Sequence, residues 1–305
     1  MKTVGLVTIN FNSEKETHAC LESLTRMDVP KGFKLRIVVV DNASKVPFTL
    51  TPREKKDGIE LLRSGENLGF TGGNNLGMRY VLDHGDEYVM LLNNDTIVSP
   101  ELLTNLLTQL DADSRVGVTV PKIYFAKGHE YHKDRYEKKD LGKVFWYAGG
   151  EVDFANAYTR HRGVDEVDHG QYDTMEPVAF ATGCCLLTRR EVLEKVGLFD
   201  DKFFLYFEDG DLGERIKRAG YTLLYVPSAY LWHINAGSSG SGSSLHDYYL
   251  TRNRMLFGMR YAPLRTKIAL IRESARLLLY GREWQKRGLR DFYMGIFGKG
   301  TFGSK

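Results

Sequence analysis

Four short apolar runs, each stopping at polar residues, constrain this chain more than any other feature. Residues 4–9 read as a buried strand and lead into Asn10-Phe11-Asn12. The β-branched run 35–40 stops at the turn signal Asp41-Asn42-Ala43-Ser44. Residues 59–63 form a shorter strand, followed by the glycine-rich turn Asn67-Leu-Gly-Phe-Thr-Gly-Gly73, and residues 88–92 stop at Asn93-Asn94-Asp95. Helical patterns lie between them. Ser13 and Glu16 have capping-box spacing, and Cys20, Leu21 and Leu24 share one face. A second helix turns Leu76, Tyr80 and Val81 inward, and Ser99 with Pro100 opens a third. This alternation predicts an α/β fold, a Rossmann-like and mostly parallel sheet flanked by helices. Ligands of such sheets bind beyond the carboxyl ends of the strands. Taken singly, Asn and Asp after strands are turn formers. Three such clusters beside a glycine-rich turn mark a candidate binding edge.

The 305 residues are 42% hydrophobic and 27% charged, ample for a sizeable core and unlike a disordered or fibrous chain. Three cysteines, two of them adjacent (Cys184, Cys185), build no disulfide framework, so a reducing, cytoplasmic setting is expected. No run approaches the ~18 uncharged apolar residues of a spanning helix. The N-terminal apolar stretch, broken by Asn10 and Asn12, is too short for a signal peptide. The net charge of +3 hides an asymmetry. From Pro263 onward ten Lys/Arg face three acids, or +7, which leaves 32 basic and 36 acidic residues, or −4, in the body. That balance argues against nucleic acid as a partner and for a local anionic contact.

The densest chemical signal is the aromatic run 203–207 leading into Glu208, Asp209 and Asp211, on a helix closed by Gly220. Acids at a helix start each add a few tenths of a kcal/mol through the helix dipole. Three carboxylates this close also repel one another, and aromatic neighbours desolvate them, which raises a pKa as a general base requires. His233, after Trp232, ends a separate apolar run and with Asp95 suits a divalent metal. Residues 127–143 alternate in charge and read as a solvated loop or hairpin tip. The Gly/Ser stretch 237–244 reads as a linker or a mobile active-site loop.

Together, Thr8-Ile-Asn-Phe-Asn12, Val-Val-Asp41-Asn-Ala-Ser44, Asn67-Leu-Gly-Phe-Thr-Gly-Gly-Asn-Asn75-Leu-Gly77 and Leu-Leu-Asn93-Asn-Asp95 resemble family 2 glycosyltransferases of the GT-A fold. So do Gly183-Cys-Cys-Leu-Leu-Thr-Arg-Arg190, Phe-Glu208-Asp209-Gly-Asp211, Trp232-His233 and Tyr248-Tyr-Leu-Thr-Arg-Asn-Arg254. Order and spacing match the rhamnosyltransferase-like branch, which builds surface polysaccharides, over about residues 1–260. The resemblance implies inverting, metal-dependent transfer from a nucleoside-diphosphate sugar, first dTDP-rhamnose and second a UDP-sugar, to a glycan or lipid-linked acceptor. It implies Asp209 as the base. It places Asp41 on the nucleobase with Thr8, Asn10 and Asn12, and Asn67, Gly69, Asn75 and Asn94 around the nucleoside. It sets Arg252 and Arg254 on the diphosphate, Asp95 and His233 on Mg²⁺ or Mn²⁺, and Glu208, Asp211 and Trp232 on the acceptor side. Two residues depart from the pattern: Asn93 replaces the first acid of the Asp-x-Asp motif, and Gly210 replaces a branched residue.

The implied organisation is a nucleotide-sugar domain over 1–235, a Gly/Ser loop with an arginine-bearing helix over 236–262 completing the site, and a basic amphipathic tail over 263–305. In that tail Ile268, Ile271, Ala275, Leu278 and Leu279 share a helical face, which suits an interfacial membrane contact, packing on the catalytic domain, or a homodimer. A sugar-phosphate nucleotidyltransferase would need a glycine-rich, basic loop after the first strand, where this chain has Thr8-Ile-Asn-Phe-Asn12. A catalytically silent glycan-binding scaffold is the rival from another class.

Overall fold

A computed structural model describes residues 1–234 and 243–303. Strands β1 (Lys2–Asn10), β2 (Phe33–Asp41), β3 (Glu60–Arg63) and β4 (Tyr88–Leu92) form a parallel ladder in the order β3-β2-β1-β4. Val38, Val39, Val40, Met90 and Leu91 are fully buried, because helices cover both faces. The remaining strands are β5 (Thr96–Val98), β6 (Val116–Phe125), β7 (Phe145–Tyr147), β8 (Gly150–Asp153), β9 (Tyr158–His161), β10 (Glu176–Pro177), β11 (Cys185–Arg189) and β12 (Thr222–His233). Antiparallel β11 joins β4 to β6, and β12 runs parallel to β6. The sheet thus reads β10-β12-β6-β11-β4-β1-β2-β3, with β5 on β12, β7 on β6, and β8–β9 as a separate hairpin. The carboxyl ends of β1, β2, β4 and β12 therefore open on the same edge.

The helices are α1 (Glu14–Leu24), α2 (Pro52–Lys56), α3 (Gly69–Asp83), α4 (Leu102–Ala112), α5 (Arg190–Val196), α6 (Glu208–Arg218), α7 (Ser244–Tyr261), α8 (Leu264–Tyr280) and α9 (Glu283–Met294). Helix α1 buries Cys20, Leu21 and Leu24, as their spacing requires. Helix α3 lies so close to β1 that a Cβ at Gly77 would sit 2.3 Å from Val7 Cγ1. Its most buried residues include Gly77, Met78 and Val81, while Leu76 and Tyr80 are half-buried. Two helix starts differ from expectation. Ser13 makes no side-chain cap, because its hydroxyl is turned toward Asn10. Helix α4 begins at Leu102, whose N–H donates to the Ser99 carbonyl, and not at Pro100. A capping box does form at Thr51 and Glu54 on α2.

Helix α7 packs on α8 and α9, and its apolar side also meets the segment before α6 through Phe203, Phe207, Leu256 and Phe257. Helix α8 buries Thr266, Leu270 and Ser274 and leaves Leu264, Ile268, Ile271, Ala275 and Leu279 exposed, with Leu278 half-buried. The apolar stripe read from the sequence therefore faces outward, apart from Leu278. Residues 127–143 form a loop between β6 and β7 as read, gathered by Glu130, which accepts from the Gly128 and Gly142 amides. Of the Gly/Ser stretch, residues 237–242 lie outside the described residues, and Ser243 caps α7 by accepting from His246 N–H. No helix among the described residues is long and apolar enough to cross a membrane.

Candidate active site

The turns after β1, β2 and β4 are tied together by short polar side chains. Asn10 Nδ2 donates to Ser44 Oγ at 2.9 Å, and Asn10 Oδ1 accepts from Thr17 Oγ1 at 2.8 Å. Asn94 Nδ2 donates to Ser13 Oγ and Thr17 Oγ1, which links the end of β4 to α1. Asn12 sits at φ 55° and accepts from Lys45 N–H. Asn67 Oδ1 accepts from Gly69 N–H and from Asn42 Nδ2, which also reaches the Gly69 carbonyl. Gly69 is at φ +72°, and a Cβ there would lie 2.4 Å from the Phe204 carbonyl oxygen. Only glycine fits that approach.

Besides Asn10, three expected donor residues are buried into this framework: Asp41, Thr8 and Asn75. Asp41 is fully buried and accepts from Ser44 N–H, Phe48 N–H, Asn10 and the Arg63 guanidinium. Burial alone would raise its pKa, but these hydrogen bonds hold it below the usual carboxylate value. The carboxylate thus builds the 41–48 loop. Thr8 is buried with its hydroxyl unpartnered among the described residues. Asn75 ties α3 to residues 199–201 through Phe199 and Asp201. The exposed aromatic at this edge is Phe11, which the sequence reading did not single out.

Asp95 and His233 come together across β4 and β12, with Nε2 to Oδ1 at 3.3 Å. The imidazole stacks on Trp146 at 4.6 Å, and its Nδ1 is buried without a partner among the described residues. Trp146 also meets His161, whose pKa burial pushes down to about 4. No spacing or motif pointed to Trp146 or His161.

Asp209 lies in the first turn of α6, half-buried. Its Oδ2 accepts from Gly183 N–H at 3.1 Å and its Oδ1 from its neighbour Gly210 N–H at 2.8 Å. Burial raises its pKa to about 6 against those two bonds. The next residue after Gly183, Cys184, accepts from Asn93 N–H through its carbonyl. One short lead-in to β11 therefore holds both the Asp209 carboxylate and the turn that carries Asp95. Glu208 is buried, with Oε2 unpartnered among the described residues, and burial beside Asp209 pushes its pKa well up.

Four further residues are placed elsewhere than the resemblance implied. Asp211 is fully buried and pairs with Arg215, Arg260 and the Tyr261 hydroxyl, so it joins α6 to α7 and does not face an acceptor. The Trp232 indole donates to the Gly142 carbonyl and holds the 127–143 loop. Arg252 is fully buried and donates to the carbonyls of Lys202 and Phe203. Arg254 pairs with Glu273 and lies over Tyr158, on the tail side. Both arginines bond within the packing around α7.

Comparison with known proteins agrees with this architecture. The chain is 27% identical over 218 residues to N-acetylglucosaminyl-diphospho-decaprenol L-rhamnosyltransferase of Mycobacterium tuberculosis, covering 69% of this chain and 70% of that one. It is 24% identical over 262 residues to dTDP-rhamnosyl transferase RfbF of Shigella flexneri, covering 82% and 78%. Among solved structures, GalNAc-T7 with UDP, GalNAc and Mn²⁺ superposes with a TM-score of 0.67 at 16% identity over 95% of this chain. The chain spans about half (54%) of that protein. Mannosyltransferase PcManGT of Pyrobaculum calidifontis, with GDP-Man and Mn²⁺, gives 0.54 at 18% identity, covering 96% and 74%. The fold is that of the GT-A glycosyltransferases. The sequence profile of glycosyl transferase family 2 matches residues 6–197, and the chain belongs to that family.

Proposed function

We propose that the chain is an inverting glycosyltransferase that moves a sugar, first rhamnose from dTDP-rhamnose, to a hydroxyl of a glycan or lipid-linked acceptor. The observation that carries this is a pair of separated carboxylates: Asp95 against His233, and Asp209 on Gly183 with its pKa raised toward neutrality. In this reading Asp209 takes the proton from the acceptor hydroxyl as that oxygen bonds to the sugar C1. The bond from C1 to the diphosphate oxygen breaks on the opposite face, so the anomeric centre inverts. Phe11 offers a ring at the mouth of the loop that Asp41 organises, and the nucleobase sits there.

Asp95 and His233 would hold Mg²⁺ or Mn²⁺. Their facing oxygen and nitrogen fit a divalent cation, and no third His, Cys, Asp or Glu among the described residues joins them. The diphosphate would complete the shell. When bound, the cation neutralises charge on the leaving diphosphate. With Asn93 in place of an acid, this chain brings one carboxylate to that end of β4.

The rhamnose assignment is supported by the two rhamnosyltransferases at 27% and 24% identity. Its test is product release from dTDP-rhamnose, UDP-glucose, UDP-N-acetylglucosamine and GDP-mannose, each with a short-chain prenyl-diphospho-N-acetylglucosamine and with Mn²⁺, Mg²⁺ or EDTA. Turnover only with dTDP-rhamnose and metal is expected. Turnover with a UDP-sugar instead moves the donor, and none with any leaves the scaffold reading.

The exposed stripe of α8 runs beside Arg265, Arg272 and Arg276, which suits an anionic membrane surface and so a lipid-linked acceptor. Flotation of the full chain with phosphatidylglycerol vesicles, lost in Ile268→Glu/Ile271→Glu, is expected. A dimer in sedimentation that the same substitutions dissolve would give that face to a second copy.

A further inference from the structure

The segment before Asp209 holds an unfavourable backbone. Phe204, Tyr206 and Phe207 have φ of 66°, 70° and 71°, the left-handed region that large side chains avoid. Such a conformation persists only where its surroundings over-determine it. Phe207 immediately precedes α6, so this backbone sets where the first turn of α6 and its Asp209 point.

The surroundings come from a helix fifty residues away. The side-chain amide of Asn253, on α7, donates to the carbonyls of Phe203 (2.8 Å), Leu205 (2.8 Å) and Tyr206 (3.0 Å). Arg252 Nε donates to Asn253 Oδ1 at 3.0 Å, which fixes which end of the amide faces those carbonyls. The same guanidinium holds the Lys202 and Phe203 carbonyls and lies against the rings of Tyr248 and Tyr249. Both side chains are fully buried. On its other flank the segment touches the donor turn, where Thr71 N–H donates to the Phe204 carbonyl beside Gly69.

We propose that Asn253, oriented by Arg252, is a positioning residue that locks the 203–207 segment in the conformation presenting Asp209 to the acceptor. This rests on Asp209 being the base. It assigns a task to the Arg252-Asn253 pair that contact with a diphosphate does not.

The test uses the full chain with dTDP-rhamnose and a short-chain prenyl-diphospho-N-acetylglucosamine. In Asn253→Ala, kcat falls at least thirtyfold while donor KM and dTDP affinity stay within threefold. Adding Tyr206→Gly recovers at least tenfold of that loss, because glycine holds positive φ without a clamp. Asn253→Asp, which aims an oxygen at three carbonyls, loses at least as much as alanine. A kcat within threefold of the parent, or a loss that glycine at 206 does not recover, overturns the proposal. Should Asn253→Ala fail to fold, Arg252→Lys carries the test, with the same split of kcat from KM expected and an unchanged kcat overturning it. A second arm needs no substrate: amide exchange of peptide 202–212 quickens in Asn253→Ala, peptides of β1 and β4 do not change, and Tyr206→Gly restores protection. Unchanged exchange in 202–212 also overturns it. Turnover by Asp209→Asn refutes the base alone, whereas a dead Asp209→Asn beside a fully active Asn253→Ala refutes the clamp alone.

Discussion

The two halves of the site are held in opposite ways. At the Asp95 end, Asn10, Ser13, Thr17 and Asn94 satisfy one another across the end of β1, the start of α1 and the turn after β4. At the Asp209 end, three residues in left-handed conformations lead into a helix whose first residue, Glu208, is buried with an unpartnered oxygen among the described residues. Short polar side chains meeting one another suffice at that end. The segment that leads into the partly desolvated Asp209 instead leans on one buried amide, Asn253 of α7.

This contrast can be broken first at the base. Asp209→Asn should lower turnover by roughly 10²–10⁴-fold and leave dTDP binding intact, as read by kinetics beside a thermal-shift titration. Asp95→Asn should cost roughly 10²-fold in metal affinity or activity, visible as a raised Mn²⁺ requirement. Gly69→Ala strikes the seam between the halves, since the new methyl meets the Phe204 carbonyl in a left-handed backbone. A loss of about 1–3 kcal/mol in chemical denaturation, with donor affinity and kcat falling together, is expected; a loss confined to one of them would separate the halves.

The pH dependence sharpens the same comparison. Proton removal requires Asp209 ionised, so kcat should rise through about pH 6 and level above it. Its folded pKa lies above its unfolded value, so its contribution to stability is intact below the unfolded pKa and is lost as pH rises through about 6. Asp209→Asn should therefore be more stable than the parent by about 1–3 kcal/mol at pH 8 and equal to it near pH 3. Smallest of all, Arg254→Ala should cost under about 1 kcal/mol and leave kcat unchanged, because its partner Glu273 is 43% exposed and both pack on the tail side.

The parallel ladder and the polar turns along one of its edges were legible because β-branched runs and Asn/Asp turns are local signals. Asp95 and His233, far apart in sequence and read together there, lie 3.3 Å apart. The roles of Arg252, Arg254, Asp211 and Trp232 were not legible, since a charged or aromatic residue looks alike in sequence whether it meets a ligand or a buried carbonyl. Trp146 and Asn253 lay beyond reach for a related reason: their partners are far along the chain. The outward stripe of α8 was legible as a stripe, but which side of the helix packs was decided by Leu270 and Ser274 meeting α7 and α9.

Cys20, Cys184 and Cys185 are buried and reduced, and burial pushes the Cys20 thiol up to about 12 and the other two up as well, Cys184 with help from Asp95 and Asp209. Thiolate is the species that alkylating agents trap. These side chains should therefore resist iodoacetamide while the sheet is closed and label when it opens. Cys184 lies between the two halves of the site, so its labelling rate is a clock for their separation, read at a native side chain.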